Sequence, residues 1–236
     1  MLSALIFDVD GTLADTEMVH LQAFNHAFAV EGMDWVWDVP TYTRLLEVSG
    51  GKERIAHYWR EVNGDITDIG GTALQATIDH LHAIKTAAYE QAVLDGAVAL
   101  RPGVLRLIQA AANASVKMAI ATTTSPVNIA ALLRTAIGPD WASYFAVVED
   151  ASTAPNKKPH PQVYLQTLAR LGLPARDCVA FEDSANGLKS ARGAGLATVI
   201  TPNSFTAHHN FAGALRVLPN LELLTLPELA QWLGQG

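Results

Sequence analysis

A single cysteine, Cys178, stands in this chain of 236 residues, so no internal disulfide can form. It opens the apolar run Cys178-Val179-Ala180-Phe181 and reads as a buried small hydrophobe. Positive charge is also scarce, with 16 Lys plus Arg against 23 Asp plus Glu and a formal net charge of −7 at pH 7. Affinity for a nucleic-acid backbone comes from clustered Lys and Arg, so this balance argues against a nucleic-acid partner. No apolar run approaches the ~20 residues of a membrane-spanning helix. Nor does the N-terminus carry a basic region followed by an apolar segment and a cleavage site. The expectation is a soluble, unsecreted monomer with no nucleic-acid or membrane partner. Its expected compartment is the cytoplasm, or a plastid stroma if a transit segment has been removed. What the chain does have is apolar material: half its residues are hydrophobic and only 17% are charged, enough for one or two folded domains.

Leu2 to Phe7 form a short apolar run that ends at Asp8, with Gly11 and Thr12 close behind, as a buried strand opening into a polar loop would. Similar runs recur at Val116 to Ala121, Phe145 to Val148, Cys178 to Phe181 and Ala197 to Ile200, and Arg216 to Leu218 adds a short edge strand. Stretches with helical spacing separate them: one from Pro102 as first helical residue, one from Val163 to Leu171 closed by Gly172, and one around Leu188 and Ala191 closed near Gly193 to Gly195. This rhythm predicts an α/β fold, a Rossmann-like parallel sheet with helices on both faces. Between Asp15 and Gly96 strand-like runs vanish. Asp15 or Thr16 would cap a helix carrying Leu21, Phe24 and Phe28 and ended by Gly32, and two more helices are predicted at roughly 50–62 and 72–94. The domain division that follows is 1–14 with 97–236 as an α/β core, and 15–96 as an all-helical cap inserted after the first strand. Its hinges lie near Ala14 and near Gly96 to Pro102, and closure about them would exclude water.

The strongest signal is Asp8-Val9-Asp10-Gly11-Thr12 at the end of the first strand. Gly11 permits a tight turn there. One carboxylate, such as Asp8, can attack phosphorus while its neighbour, such as Asp10, protonates the leaving oxygen and later deprotonates water. An anion attacking a phosphate needs cations close by. Glu182 and Asp183 beside Asp8 would suit Mg²⁺. Lys158 supplies a fixed positive charge. The hydroxyl of Thr122 and the backbone N–H groups of the following helix start can hold phosphate oxygens, with Thr123 and Thr124 as further substrate contacts. All four segments follow strands, where ligands bind in a parallel sheet.

These four segments resemble the four motifs of the haloacid-dehalogenase superfamily of phosphotransferases. The resemblance implies Asp8 as nucleophile, Asp10 as acid and base, and Thr122 on phosphate. It also implies Lys158 as stabilising cation, and Mg²⁺ held by the Asp8 carboxylate, the Asp10 carbonyl and Asp183 with Glu182. The helical insert matches the cap of the β-phosphoglucomutase-like branch, and the presence of Asp10 disfavours true dehalogenation.

Within the insert, Tyr42 to Leu46, Ser49 to Ile55, Asp34 to Trp37 and Leu81 to Thr86 are similar to the xylulose-1,5-bisphosphate phosphatases associated with carbon fixation. Arg44, Lys52 and Arg54, around the Gly50-Gly51 turn, could grip a second phosphate that is not hydrolysed, with Gly51 lending a backbone N–H. Tyr42 and Lys85 are further candidate substrate contacts, as are Glu17 and His20, which the family match puts on substrate hydroxyls. His80 and His82, two apart on a helix, make a poor metal pair. Residues 62–78 show little resemblance, and the loop from Glu149 to Pro155 lacks the acidic-then-apolar run of many relatives. The reading is a Mg²⁺-dependent sugar-bisphosphate phosphatase. A phosphomutase using the same two aspartates is the second reading, and a phospho-accepting receiver the remote third.

Overall fold

The structure is a computed structural model that describes residues 1–64 and 72–234; residues 65–71, within the weakly resembling stretch 62–78, lie outside it. It divides into two compact units, Met1–Thr16 with Val98–Gly236, and Glu17–Ala97.

The first unit is built on a six-stranded sheet of β1 (Ala4–Phe7), β2 (Lys117–Ala121), β3 (Val147–Glu149), β4 (Cys178–Glu182), β5 (Ala197–Ile200) and β6 (Arg216–Val217). Every pairing is parallel and the order is β3-β2-β1-β4-β5-β6. β1 is buried along its whole length, which is why it reads as an unbroken apolar run rather than an alternating one. The chain moves outward from β1 to β2 and β3, then returns to place β4 on the other flank. The order therefore reverses between β1 and β4, the switch point where open α/β sheets bind ligands at their carboxyl ends. Register makes the placement concrete: Phe7 is level with Ile120 on β2 and Phe181 on β4. Asp8, Ala121 and Glu182 therefore follow at one level, the carboxyl edge of the sheet.

The second unit is helical: α1 (Glu17–Val30), α2 (Val39–Leu45), α3 (Gly51–Asn63) and α4 (Thr72–Leu94). Phe24 and Phe28 of α1 are fully buried against Trp37, packing residues as expected. α2 was not anticipated, although Asp38 caps it by accepting from the Thr41 N–H at 2.8 Å. The return to the sheet runs through α5 (Val104–Asn113), α6 (Pro126–Ala136), α7 (Gln162–Leu171), α8 (Ala185–Gly193) and α9 (Leu226–Leu233). α5 starts at Val104 and not at Pro102, because Gly103 has φ +85° and a Cβ there would lie 2.1 Å from the Leu221 backbone. Gly172 closes α7 in the left-handed conformation, and Ser184 caps α8. Cys178 is fully buried in the core beneath α7, and burial pushes its thiol up to about 11. No described helix is long and apolar enough to cross a membrane.

Candidate active site

Four strand ends of the α/β unit bring Asp8, Thr122, Lys158, Glu182 and Asp183 together, and all five are buried. Lys158 ties them: its ammonium donates to Asp8 Oδ1 at 2.7 Å, Glu182 Oε1 at 2.6 Å and the Ala121 carbonyl at 2.9 Å. The departure noted in the loop 149–155 does not displace it. Thr122 bonds the Asp8 carboxylate, while its own N–H donates to the Glu149 carbonyl at 3.1 Å. Thr12 donates to Asp8 Oδ2 at 3.5 Å. Thr123 and Thr124 are half-buried at the entrance to α6, and Thr124 Oγ1 accepts from Asn128 Nδ2 at 3.1 Å. Asp10 is half-buried one turn beyond Asp8, and Gly11 takes φ +76° between that turn and Asp183.

Burial raises the Asp8 carboxyl above its ordinary range, more than the Lys158 ammonium lowers it. Burial likewise pushes Glu182 up to about 7 against the pull of Lys158, with the Asp8 charge adding to the rise. Burial alone would lower the Lys158 ammonium, but the two carboxylates overcome it and raise it. One ligand oxygen from each of Asp8, Glu182 and Asp183 lies within 4.8 Å of the others. Three buried carboxylates around one ammonium leave a surplus of negative charge on hard oxygen donors, a set that fits a divalent cation such as Mg²⁺. Glu182 sits deepest. Its Oε1 is taken by Lys158 and by the Tyr164 hydroxyl at 2.5 Å, and its other oxygen lies against Gly187. Glu182 therefore also orients Lys158 from within, while remaining beside Asp8 and Asp183 in the same carboxylate cluster.

The helical unit has its own polar cluster around the buried Phe24 ring. Arg54 lies 5.8 Å and Lys85 5.0 Å from its centroid. Arg54 is fixed by the Leu45 and Val48 carbonyls at 3.1 and 3.3 Å and by the Tyr42 hydroxyl at 3.3 Å. That hydroxyl donates to Glu17 at 2.7 Å. Lys85 donates to His20 Nδ1 at 2.8 Å, and His20 stacks on Tyr89. Gly51 opens α3 with its bare Cα against His82, whose Nε2 would stand 2.7 Å from a Cβ there. Arg44 and Lys52 do not share these partners. Arg44 makes a two-pronged pair with Glu61 at 2.6 and 2.8 Å, and Lys52 pairs with Asp79 at 2.6 Å, both on the surface. Helical spacing explains this separation, since positions 52 and 54 are two apart and face different sides.

Burial lowers His82 to about 4, with Lys85 and Lys52 adding to the effect. Between about 4 and 6.5 the unfolded chain binds that proton and the folded one does not, so stability falls as the pH drops through this window. The cost reaches about 2 kcal/mol at pH 5. His82→Gln is expected to lose correspondingly less stability than the native chain between pH 7 and 5, as read from denaturant midpoints. Parallel profiles would show that His82 is not the group responsible.

Asn203, Tyr164, Arg101 and Asn128 reach the site without having been singled out. Asn203 follows β5 at the same carboxyl edge of the sheet, so the strand-end rule was the available signal. The other three are helix or loop residues whose positions depend on tertiary packing.

Residues 2–195 match the family model of the haloacid dehalogenase-like hydrolases. The plasmid-encoded protein CbbY of Cupriavidus necator is 57% identical over 93% of this chain and 86% of its own length. A crystal structure of a CbbY variant from Rhodobacter sphaeroides in complex with xylulose 1,5-bisphosphate has a TM-score of 0.88 at 42% identity, covering 95% of this chain and 96% of that one. β-Phosphoglucomutase from Clostridium difficile shares the fold, with a TM-score of 0.80 at 19% identity over 100% of this chain and 98% of that one. The chain belongs to the haloacid dehalogenase-like hydrolases, as a phosphatase related to CbbY.

Proposed function

We propose that the enzyme is a Mg²⁺-dependent phosphatase that hydrolyses xylulose 1,5-bisphosphate to xylulose 5-phosphate and phosphate, as a cytoplasmic monomer. The observation that carries the chemistry is the buried contact of Lys158 with both Asp8 and Glu182, in one carboxylate cluster with Asp183. The related CbbY bound to that bisphosphate supports the substrate.

In this reading Asp8 attacks phosphorus, an Asp8–O–P bond forms and the sugar C–O–P linkage breaks at phosphorus. The departing sugar oxygen takes a proton from Asp10. Asp10 then removes a proton from water, whose oxygen attacks the aspartyl-phosphate, releasing phosphate and restoring the Asp8 carboxylate. Lys158 holds the attacking carboxylate in one orientation and balances charge in a water-poor site. Thr122 and the N–H groups opening α6 bind phosphoryl oxygens. The Asp8 and Asp183 carboxylates, with the Asp10 carbonyl, would hold Mg²⁺, which when bound neutralises phosphoryl charge. On the helical unit, Arg54 and Lys85 supply fixed cations for the phosphate that is retained, while Glu17, His20 and Tyr42 bind hydroxyls.

The test is phosphate release with Mg²⁺ from xylulose 1,5-bisphosphate, ribulose 1,5-bisphosphate and β-glucose 1-phosphate, for the native enzyme and for Arg54→Met. The native enzyme is expected to prefer xylulose bisphosphate. Arg54→Met is expected to raise KM for it at least about tenfold, the loss of one charge-assisted contact. Activity confined to hexose phosphates, or isomerisation without phosphate release, would replace this substrate reading with a mutase one.

A further inference from the structure

The loop after β5 reaches the site although it belongs to none of the four motif segments. Asn203 Nδ2 donates to Asp183 Oδ2 at 2.7 Å. The remainder of Asn203 is fixed within its own loop. Its Oδ1 accepts from the Phe205 N–H at 2.8 Å, its N–H donates to Thr206 Oγ1 at 3.0 Å, and its carbonyl accepts from the N–H groups of Thr206 and Ala207. The amide therefore cannot swing away without undoing the turn. On the other side the pair rests on bare backbone: a Cβ at Gly11 would lie 2.3 Å from Asp183 Oδ2 and 2.6 Å from Asn203 Nδ2. Arg101 clamps this same loop to that same turn. Its guanidinium donates to the carbonyls of Gly11 and Thr201 at 2.5 Å each and of Pro202 at 2.8 Å. The turn bearing Asp8 and Asp10 is thus registered against the loop bearing Asn203, and Asp183 is held between them.

We propose that Asn203 is a positioning residue for Asp183: by holding Oδ2 against the Gly11 turn, it fixes the rotation of the carboxylate that a divalent cation would use. This rests on the reading that Asp8 and Asp183 hold that cation. Partners of this outer kind are worth about 10- to 100-fold in metal affinity.

The experiment is calorimetric titration of the full chain with MgCl₂ alone, without substrate, on the native protein and four variants. Asn203→Ala removes both the donor and the turn. Asn203→Ser retains a hydroxyl that can close the turn but is too short to reach Asp183. Both are expected to weaken Mg²⁺ binding at least about tenfold. Thr206→Ser trims the buried packing of the same loop while keeping the hydroxyl that accepts from the Asn203 N–H and leaving the Nδ2 donor, and is expected to bind Mg²⁺ as the native chain does. Asp183→Asn is expected to abolish binding. If Thr206→Ser weakens binding as much as the Asn203 variants do, the effect belongs to the loop and the proposal fails. Native affinity in Asn203→Ser, with binding lost in Asp183→Asn, overturns the role of Asn203 alone. Binding that survives Asp183→Asn removes the underlying cation reading instead.

Discussion

Replacing Asp8 by asparagine is expected to lower the rate of phosphate release by at least about four orders of magnitude while leaving the protein as stable as before, or more so. The loss follows from the chemistry proposed: an amide oxygen does not attack phosphorus, and Glu182, level with Asp8 on β4, is engaged by Lys158 and Tyr164. The gain in stability follows from burial. The Asp8 carboxyl is raised above its ordinary range because burial outweighs the Lys158 contact, so the fold disfavours its ionised form. At neutral pH that preference costs stability; below the carboxyl's unfolded value, near pH 4, the cost is gone. Asparagine keeps an oxygen for the Lys158 ammonium at 2.7 Å and brings no charge, and Glu182 still faces Lys158 from the other side. The two measurements are kcat and the thermal midpoint in metal-free buffer at pH 7. Retention of more than about one-hundredth of native activity would rule out Asp8 as nucleophile, since loss of a nucleophile costs far more than that. A midpoint well below the native one would mean that Asp8 holds the fold together instead of straining it.

Much of this site was legible before any coordinates. The parallel sheet was readable because strands buried on both faces are unbroken apolar runs, and four of them lead into residues with chemistry. Register then did the rest: pairing Phe7 with Ile120 and Phe181 puts three of the four motif segments at one edge. What escaped falls into two physical classes. α2 and α9 are too short to display helical periodicity, and their signals are local instead. Asp38 caps the first, and the second opens with a capping box in which Thr225 and Glu228 exchange hydrogen bonds. Contacts between distant segments are the other class. No spacing rule joins Arg101 to Gly11 and Thr201, or Tyr164 to Glu182. The same gap explains why Arg44 and Lys52, grouped with Arg54 by proximity in sequence, spend their charges on Glu61 and Asp79. Sequence identified the residue types around the Gly50-Gly51 turn, but only packing on Phe24 separates the buried cations from the exposed ones.

Lys158→Met is expected to reduce kcat by about 10³-fold or more and, unlike Asp8→Asn, to destabilise the fold by about 3–5 kcal/mol at neutral pH. The methionine chain fills much of the same volume, so the effect isolates the charge. Without the ammonium, Asp8, Glu182 and Asp183 remain buried together, and the hydrogen bonds to Asp8 Oδ1, Glu182 Oε1 and the Ala121 carbonyl are lost at once. Removing one partner of a buried ionic cluster costs more than the cluster contributed, because the remaining charges lose their compensation. The stability deficit should depend on pH in a direction that can be worked out. With Lys158 present Glu182 already titrates at about 7, and Lys158 is what holds it down. In the variant it takes up a proton at still higher pH, so the folded state binds more protons than the unfolded one across the neutral range and gains stability as the pH falls. The gap between native and Lys158→Met midpoints should therefore be wide at pH 8 and narrow toward pH 5.5. A constant gap would mean that the methionine disturbs packing and not charge. Activity within about tenfold of native would mean that the ammonium is not needed where the phosphoryl group transfers, since a single preorganised donor at such a site is ordinarily worth about 10²- to 10³-fold.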